Sequence, residues 1–441
     1  MTIFKAYDIR GIYPQELNED TAYKLGRAFV AFLKCKKVVV SRDMRLSSKS
    51  LSDALIKGLT GQGADVIDIG LSSTPMNYFA NNFLKADASV MITASHNPKE
   101  FNGFKLNREK AIPISDETGI KEIEGLVEKN KFKDLKKKGK IIKKNIMDDY
   151  VNHVVKLVKV IDKKLRIIAD AANGMAGFDT ERIFSRLGIK IEKMYFNLDG
   201  NFPNHEADPL KEKNVKEIRE RVVKEKFDLG IAFDGDADRV FFIDENGQKI
   251  PSDFIIALLA KYFLEEYPNE IIINDLRTSK IIKETVEANN GKSVMSRVGH
   301  VFFKQLMREK NGLFAGELSG HYYFRDNFYT DSGIIAAVKL IEILSKHKKP
   351  LSELVKPFKK YYQSGEINIK VHDKLKKIKE IEKKYKDGKI LHIDGLSVYY
   401  KNWWFNLRPS NTEDLLRLNL EADSKEMMEE KRKELLNLIK N

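Results

Sequence analysis

Residues 229–239, LGIAFDGDADR, are the stretch that decides the fold. The run of apolar and small residues at 229–233 predicts a short buried strand, and the polar run that follows at once predicts a loop. In open α/β sheets, ligands bind at the carboxyl ends of the strands. The stretch therefore indicates an α/β domain with a ligand site at 234–239.

The three carboxylates of this loop predict a metal site. Asp234, Asp236 and Asp238 alternate directly after a buried strand, where carboxylates are costly unless something neutralises them. Oxygen ligands suit Mg²⁺ or Ca²⁺, and the small residues Gly235 and Ala237 let the carboxylates converge. An EF-hand is excluded, because an apolar strand interrupts the loop and no bidentate Glu stands at its twelfth position. A solvated acidic turn is the alternative.

The same strand-and-loop pattern recurs on both sides of this stretch. Short apolar runs end in polar loops at 38–43, 88–98, 167–174, 271–277 and 312–321. Longer amphipathic segments separate the runs, as in α/β proteins. The sequence therefore predicts three α/β units, each with a loop at a strand's carboxyl end.

The C-terminal stretch has a different pattern. Residues 403–407 and 416–420 predict strands, 408–412 the loop between them, and 424–440 a closing helix. We expect three similar α/β domains with mixed sheets at 1–145, 146–247 and 248–362, and a smaller α+β domain at 363–441.

Composition limits the class of protein. The chain has 441 residues, 42% of them apolar, which is enough to bury sizeable cores and excludes a disordered chain. No apolar run reaches the roughly 18–20 residues of a membrane span, and the first residues lack a secretory signal. The single cysteine, Cys35, excludes an intramolecular disulfide. We expect a soluble cytoplasmic protein without a membrane partner.

The net charge of +14 is compatible with nucleic acid, acidic membranes or a small anionic substrate. Two lysine-dense stretches, 129–144 and 370–389, carry much of the excess. Neither has aromatic residues at the spacing of a base-stacking surface. Solvated helix faces or connectors are the simpler interpretation.

Residues 93–98, TASHNP, place Ser95 in a polar turn after a predicted strand. A serine beside a cation can carry a phosphoryl group, which brings about two negative charges and three acceptor oxygens. Adjacency alone does not make His96 its base. Lys105 follows a tight turn and is a candidate phosphate clamp or proton-transfer group. A structural serine in an Asn-Pro turn and a surface lysine are the alternatives.

Two further loops contain candidate substrate contacts. Glu317 and Ser319 alternate between glycines, which would place both on one side of an extended loop, where they can bind vicinal sugar hydroxyls. His300 could add a contact. Residues 408–412, RPSNT, combine a guanidinium, hydroxyls and an amide in the manner of a phosphate cradle. Polar turns are the alternative for both loops.

Taken together, these loops resemble the α-D-phosphohexomutase superfamily, within it the bacterial and archaeal phosphomannomutase/phosphoglucomutase branch. The resemblance runs from 6–11, AYDIRG, to 411–413, NTE, nearly the whole chain. It implies four domains around a central cleft, three of them alike. This order agrees with the pattern of strands and loops.

The resemblance also implies residue roles. Ser95 would be the phosphoserine, Lys105 the general acid/base, and His96 its supporting neighbour. The residues that match the family's phosphoryl-transfer motifs are Ser95, His96, Lys105, Arg10 and Arg239, and the residues that would bind Mg²⁺ are Ser95, Asp234, Asp236 and Asp238. The residues that match the motif for the sugar hydroxyls are Glu317 and Ser319. The residues that would bind the phosphate that is not transferred are Arg277, Arg408, Ser410, Asn411 and Thr412.

The reaction that the resemblance implies is a reversible transfer of phosphate between C1 and C6 of mannose or glucose phosphate, through phosphoserine and a hexose 1,6-bisphosphate. One Mg²⁺ per chain and glucose or mannose 1,6-bisphosphate as activator would be required. We expect hexose phosphates as partners, no nucleic acid, and a monomer or homodimer.

Two details bear on the substrate. Residues 316–321, GELSGH, are close to the GEMSGH of hexose-type enzymes, whereas glucosamine-type enzymes usually carry Gln before the Ser. Asp414 replaces the family's usual Pro, which puts fine specificity in question. A phosphoglucosamine mutase, and a phosphosugar- or nucleic-acid-binding protein that has lost catalysis, are the alternatives.

Overall fold

Six strands at the start of the chain form the first mixed sheet. A computed structural model describes residues 3–133, 135–410 and 415–440. The strands are β1 (Ile9–Ile12), β2 (Lys37–Arg42), β3 (Asp65–Leu71), β4 (Ala88–Ile92), β5 (Phe101–Arg108) and β6 (Ile141–Lys143), in the spatial order β1-β5-β4-β2-β3-β6. β2 runs parallel to β3 and β4, whereas β5 is antiparallel to β1 and β4. The loop with Ser95 therefore leaves the sheet at the carboxyl end of β4.

Four helices connect these strands: α1 (Glu19–Leu33), α2 (Ser48–Gly61), α3 (Thr74–Phe83) and α4 (Ile120–Lys129). Asn18 and Ser73 cap α1 and α3, each accepting a hydrogen bond from a backbone N–H of the first turn. Their apolar faces pack on the sheet, where Phe29, Leu55 and Phe104 are fully buried. This core fixes the strand ends from which the loops project.

The second sheet repeats the arrangement with five strands. These are β7 (Ile167–Asp170), β8 (Ile191–Met194), β9 (Leu229–Phe233), β10 (Val240–Asp244) and β11 (Lys249–Ile250), in the order β11-β10-β9-β7-β8. Its helices are α5 (Met147–Lys156), α6 (Ala176–Leu187) and α7 (Lys216–Glu225). β7 is parallel to β8 and β9, and β10 is antiparallel to β9. The loop that carries Asp234, Asp236 and Asp238 connects β9 to β10.

The third α/β stretch contributes to two compact units of the chain. Unit one comprises Met1–Ile250, Gly299–Phe314 and Ser319–Leu354, and unit two comprises Pro251–Val298, Ala315–Leu318 and Val355–Asn441. The elements of this stretch are α8 (Ser252–Glu266), β12 (Ile271–Asp275), α9 (Lys280–Ala288), β13 (Lys292–Ser296), α10 (His300–Lys310), β14 (Phe314–Gly316), β15 (Tyr322–Phe324), β16 (Thr330–Asp331), α11 (Gly333–His347) and α12 (Leu351–Val355). β12 and β13 are parallel, and β15 and β16 are antiparallel.

The C-terminal part of unit two carries an antiparallel sheet. Its elements are β17 (Tyr362–Gln363), β18 (Ile367–Lys370), α13 (Lys374–Lys384), β19 (Lys389–Leu391), β20 (Leu396–Tyr399), β21 (Trp403–Pro409), β22 (Leu415–Ala422) and α14 (Lys425–Lys440). The spatial order is β17-β22-β21-β20-β19, and β18 also pairs with β22. Phe405, Leu418 and Leu435 are fully buried in its core. The predicted fold class, mixed α/β sheets followed by a smaller α+β domain, is confirmed.

One local prediction was wrong. The sequence suggested a loop from residue 408, but β21 continues through Pro409, so Arg408 lies in the strand opposite Arg417. The six residues before Pro409 are all buried in the strand, and a proline without an N–H donor is tolerated at a strand's end. Among the described helices, none is both long enough and apolar enough to cross a bilayer.

Candidate active site

Ser95 lies in the loop after β4 and is only 2% exposed. Its backbone is left-handed, with φ +50°, a conformation that costs a non-glycine residue about 1 kcal/mol. The side chain of Thr93 accepts a hydrogen bond from Ser95 N at 2.9 Å. Ser95 Oγ donates to Asp234 Oδ2 over 2.7 Å and lies 3.2 Å from His96 Nδ1. The hydroxyl therefore meets the first carboxylate of the 234–238 loop.

Arg45, which the sequence analysis did not single out, holds the Ser95 loop in place. The guanidinium is buried and lies 3.3 Å from Asp43. It donates hydrogen bonds to three backbone carbonyls of the loop, those of Ser95 at 2.8 Å, Asn97 at 2.6 Å and Pro98 at 2.7 Å, and to that of Phe101, the first residue of β5, at 2.9 Å. The only signal in the sequence was its place after the carboxyl end of a predicted strand.

Asp234, Asp236 and Asp238 converge as the sequence analysis predicted. Each is at most 2% exposed, and one oxygen from each lies within 4.8 Å of the others. Gly235 permits a close approach to the serine loop, because a Cβ there would lie 2.4 Å from Ser95 O. The structure thus brings Ser95 and the three carboxylates into one cluster within unit one.

The chemistry of this cluster fits a hard divalent cation. Asp236 Oδ1 and Asp238 Oδ1 are buried, and no described residue donates a hydrogen bond to either. Burial, together with the charges of Asp238 and Asp236, raises the pKa of Asp234 well above its usual value. Although burial opposes ionisation, Lys105 and His321 lower the pKa of Asp238 to about 2. Buried carboxylate oxygens without donors are what Mg²⁺ or Ca²⁺ would satisfy.

Lys105 lies on β5 and is 5% exposed. Its Nζ is 2.7 Å from Asp236 Oδ2 and 2.5 Å from Asp238 Oδ2. Burial disfavours the ammonium, but the two carboxylates outweigh that effect and raise the pKa of Lys105 above its usual range. In this geometry Lys105 is a cation that pairs with two of the three carboxylates, those of Asp236 and Asp238. Its role in proton transfer stays a prediction from the resemblance.

Arg10 contacts the Ser95 loop, and His96 belongs to it. Arg10, on β1, donates to Asn97 Oδ1 and to Asp8 Oδ2, each over 2.5 Å. Burial lowers the pKa of His96 well below its usual value, and the charges of Arg239 and Arg10 add to the effect. His96 is therefore a neutral imidazole beside the serine hydroxyl.

His321 is a site residue to which the sequence analysis gave no role. It is 4% exposed, its Nε2 accepts a hydrogen bond from Arg239 Nε at 2.9 Å, and its Nδ1 lies 2.8 Å from Asp331 Oδ2. Nδ1 is also 3.8 Å from Asp238 Oδ1. A signal was available, because His321 closes the same 316–321 motif as Glu317 and Ser319.

Lys304 and Asp331 form a fully buried ion pair behind His321. Lys304 Nζ lies 2.7 Å from Asp331 Oδ1 and 3.8 Å from the centroid of the Tyr78 ring. Although burial opposes ionisation, Lys304 and His321 hold the pKa of Asp331 well below its usual value. No sequence signal revealed this pair, because a lysine in an amphipathic helix normally faces water.

His300 is the first residue of α10 and joins the same group. Its ring centroid is 6.1 Å from that of Tyr7 and 6.2 Å from that of His321. Burial, and then the charge of Lys304, lowers the pKa of His300 well below its usual value. His300 is therefore a neutral imidazole, and its contact with a sugar hydroxyl stays a prediction.

Unit two contains a separate cluster of arginines. Arg277 follows β12, and its Nε lies 2.9 Å and 3.0 Å from the two carboxylate oxygens of Asp275. Its NH1 donates to Glu366 Oε2 at 3.2 Å, and Arg408 NH2 donates to the same oxygen at 3.0 Å. Arg417 NH1 is 3.6 Å from Glu366 Oε1. Of these residues the sequence analysis had selected Arg277 and Arg408.

The remaining candidates lie near the ends of strands. Glu317 follows β14 and is 2% exposed, whereas Ser319 is half-buried in a turn that begins at residue 318. The expected extended loop is therefore a turn, for which Gly320 supplies a φ of +86°. Ser410 is buried, and its N–H donates to Leu415 O at 2.9 Å. Asn411, Thr412 and Asp414 lie outside the described residues.

The fold and the clusters define a phosphoryl-transfer enzyme, because a buried serine faces a carboxylate triad and guanidinium groups gather elsewhere. The family descriptions Phosphoglucomutase/phosphomannomutase, alpha/beta/alpha domains I, II and III match residues 1–134, 148–247 and 251–361. The C-terminal domain of the same family matches 366–438. The chain belongs to the phosphoglucomutase/phosphomannomutase family and is an intramolecular phosphotransferase, a phosphohexomutase.

Individual relatives agree over their whole length. A phosphomannomutase of Methanocaldococcus jannaschii is 43% identical over 445 residues, covering 100% of this chain and 98% of the relative. A phosphomannomutase of Escherichia coli strain K12 is 42% identical over 451 residues, covering 100% and 99%. The crystal structure of a phosphoglucomutase/phosphomannomutase family protein from Burkholderia thailandensis superposes with a TM-score of 0.92 at 32% identity, covering 100% and 98%.

Proposed function

We propose that the chain interconverts the 1- and 6-phosphates of mannose and glucose, with Ser95 as the residue that carries the phosphoryl group. The observation that supports this role is the hydrogen bond from Ser95 Oγ to Asp234 Oδ2 at 2.7 Å within the carboxylate cluster. Phosphorylated Ser95 would donate to the free hydroxyl of the substrate, giving a hexose 1,6-bisphosphate. The bisphosphate then turns, and Ser95 recovers a phosphoryl group from its other end.

We propose one Mg²⁺ per chain, held by Asp234, Asp236, Asp238 and the group on Ser95. The buried Oδ1 atoms of Asp236 and Asp238 support this donor set, because they lack hydrogen-bond donors within the part of the chain that the structure describes. When bound, the ion would supply positive charge that stabilises the transferring phosphoryl group. Arg10 and Arg239 would add cationic hydrogen-bond donors beside it.

Proton transfer has two candidates in unit one. The resemblance assigns it to Lys105, whose Nζ is shared between Asp236 and Asp238. His321 is the second candidate, because Arg239 and Asp331 hold both of its ring nitrogens and fix its orientation. Nε2, which accepts a hydrogen bond from Arg239 Nε here, would take the proton of the attacking sugar hydroxyl once Arg239 turns from it toward the phosphoryl group.

The other substrate contacts are carried over as a proposal. Glu317, Ser319 and His300 would bind the sugar hydroxyls, and the burial of Glu317 favours a hydrogen-bonded role. Arg277, Arg408 and Ser410, with Asn411 and Thr412, would bind the phosphate that is not being transferred. The arrangement of Arg277 and Arg408 around one carboxylate supports an anion site in unit two.

Glucose or mannose 1,6-bisphosphate would act as activator by phosphorylating Ser95. The chain would act in the cytoplasm as a monomer or homodimer. Mannose and glucose phosphates are favoured over glucosamine phosphate because residues 316–321 read GELSGH.

The test is ³¹P NMR of the protein with Mg²⁺ and a trace of glucose 1,6-bisphosphate. Mannose 1-phosphate, glucose 1-phosphate and glucosamine 1-phosphate are offered separately. Formation of the 6-phosphate from the first two, with little from the third, supports the proposal. Conversion mainly of glucosamine 1-phosphate overturns the specificity. Absence of conversion by folded protein phosphorylated on Ser95 overturns the catalytic role.

A further inference from the structure

Two arginines of the C-terminal sheet face each other across neighbouring strands. Arg408 on β21 is paired directly with Arg417 on β22. Like charges at directly opposed positions of an antiparallel pair destabilise the sheet. Arg277 brings a third guanidinium to the same place, since its NH1 and Arg408 NH2 reach one carboxylate oxygen. Such a group of cations requires an anion.

Glu366, which the sequence analysis did not select, supplies that anion. Its Oε2 accepts from Arg277 at 3.2 Å and from Arg408 at 3.0 Å, and its Oε1 lies 3.6 Å from Arg417. Although burial opposes ionisation, Arg277 and Arg408 lower the pKa of Glu366. The carboxylate is therefore charged at neutral pH and lies among the three guanidinium groups.

The two carboxylates of the cluster differ in how firmly they are held. The Asp275 side chain is fully buried and meets Arg277 through both oxygens. The Glu366 side chain is 26% exposed, and its contacts of 3.0, 3.2 and 3.6 Å are longer than the 2.7–2.9 Å that is usual for charge-assisted hydrogen bonds. Asp275 is a fixed counter-ion of Arg277, whereas Glu366 can leave.

We propose that Glu366 is a resident anion that competes with the substrate's phosphate group for Arg277, Arg408 and Arg417. This inference rests on the proposed function, in which Arg277 and Arg408 bind the phosphate that is not being transferred. Glu366 would occupy the guanidinium groups between phosphates and swing toward solvent when a phosphate arrives. It would thereby weaken phosphate binding and speed phosphate release.

A phosphate group can displace this carboxylate because it satisfies more donors. Among the described residues, Arg408 Nε is buried and has no hydrogen-bond partner in the presence of Glu366. A carboxylate has two acceptor oxygens, whereas a phosphate monoester has three and carries up to two charges. When the phosphate replaces the Glu366 carboxylate, its additional oxygen can accept a hydrogen bond from Arg408 Nε. This favours the phosphate, and its binding stays reversible.

The proposed reaction requires the arginines to exchange Glu366 and phosphate repeatedly. The bisphosphate has to turn, so the arginines release one phosphate and take up the other within each catalytic cycle. Guanidinium groups left without a counter-ion in a buried place would oppose that release strongly. Glu366 lies between Gly365, which has a φ of +68°, and the first residue of β18. It therefore stays close to the arginines and can replace the departing phosphate.

The experiment measures binding without turnover, in the Ser95→Ala background. Isothermal titration with glucose 6-phosphate, and separately with inorganic phosphate, compares Glu366 with Glu366→Gln. Loss of the competing charge should tighten binding of both by about tenfold, the effect of one charge-assisted hydrogen bond. Glu380→Gln removes the same charge from an exposed position on α13 and should leave both dissociation constants unchanged.

Glu366→Asp provides a second variant if the Gln variant does not fold, because the shorter side chain reaches fewer of the arginines and should tighten binding to a smaller extent. Weaker or unchanged binding in a folded Glu366 variant overturns the inference, since it would mean that the carboxylate only organises the arginines. With Ser95 restored, Glu366→Gln should lower KM and kcat together, as expected if phosphate release slows.

Arg408→Ala in the same Ser95→Ala background separates this inference from the proposed function. If Arg408→Ala weakens glucose 6-phosphate binding but Glu366→Gln does not strengthen it, the phosphate site stands and only the resident anion is refuted. If Arg408→Ala leaves binding unchanged, the phosphate site itself is refuted, and the inference falls with it.

Discussion

Ser95 Oγ and Asp234 Oδ2 lie 2.7 Å apart although 139 positions separate them along the chain. Ser95 lies in the loop that follows β4 of the first sheet, and Asp234 lies in the loop that follows β9 of the second sheet. The contact exists because both residues stand at strand carboxyl ends and because Gly235 allows the two loops to approach. A serine hydroxyl and the carboxylate that it meets are thus supplied by two different sheets of unit one.

Replacement of Ser95 by Ala should abolish turnover and leave the fold unchanged, because it removes the hydroxyl that donates to Asp234 Oδ2. We expect a loss of about a thousandfold or more, as for removal of a catalytic nucleophile. ³¹P NMR measures turnover, and circular dichroism measures the fold. Ser185→Ala, on the exposed side of α6, is the matched control. Retention of activity by Ser95→Ala would contradict the phosphoserine role.

Metal removal should stop the reaction reversibly. Dialysis against EDTA should abolish turnover, and added Mg²⁺ should restore it, because the buried carboxylates then recover their counter-ion. Asp236→Asn should weaken Mg²⁺ binding, measured by isothermal titration, since one buried donor oxygen becomes an amide. Asp20→Asn is the control, because that side chain is 67% exposed and its paired lysine lies on the same helix. Full activity in metal-free protein would contradict the proposed requirement for Mg²⁺.

The sequence predicted those features that depend on local pattern. A buried strand followed by a polar loop is visible in the order of residues, so Ser95, Asp234 and Arg277 could be selected and the α/β class recognised. The division into three mixed-sheet stretches and a C-terminal sheet follows from the same periodicity. The strand through Pro409 was missed because a proline and a run of polar residues ordinarily indicate a loop.

The sequence could not show which charged side chains are buried and paired in the folded protein. Arg45, Lys304, Asp331 and Glu366 carry ordinary surface-type side chains, and no spacing distinguishes them from solvated residues. Their importance depends on long-range contacts, such as the one between Lys304 and Asp331, that exist only after folding. His321 differs, since its motif was visible, but a histidine's role depends on what meets its two nitrogens.

The buried pair of Lys304 and Asp331 makes a prediction about stability. Asp331→Asn leaves a fully buried ammonium without its counter-ion and should lower the free energy of unfolding by about 3–5 kcal/mol. Lys304→Met should cost less, because Asp331 keeps His321 as a partner at 2.8 Å. The double variant should be more stable than Asp331→Asn alone. Urea unfolding of the three variants measures the coupling, and strictly additive losses would show that the two charges do not interact.

Asp179 makes the stability of unit one depend on pH. It is fully buried on α6 and accepts a hydrogen bond from Ser73 Oγ at 2.5 Å. Burial raises its pKa to about 7, against the hydrogen bonds from Ser73 and the backbone, which lower it. The unfolded chain should titrate at about 3.9, so between about pH 4 and pH 7 the folded state binds the extra proton. Its contribution is complete below that window and is lost as the pH rises through it.

Asp179→Asn cannot ionise and should therefore lack this dependence. The stability of the natural chain relative to the variant should fall between pH 4 and pH 7, by at most about 1.4 kcal/mol per pH unit, the value for one proton. Urea unfolding of both chains at pH 5 and pH 8 measures the difference, with Asp20→Asn as the exposed control. Because Asn keeps an oxygen for Ser73, the hydrogen bond itself is little changed, and the charge alone accounts for the slope. A difference that is the same at both pH values would mean that Asp179 is already ionised in the folded protein at pH 5.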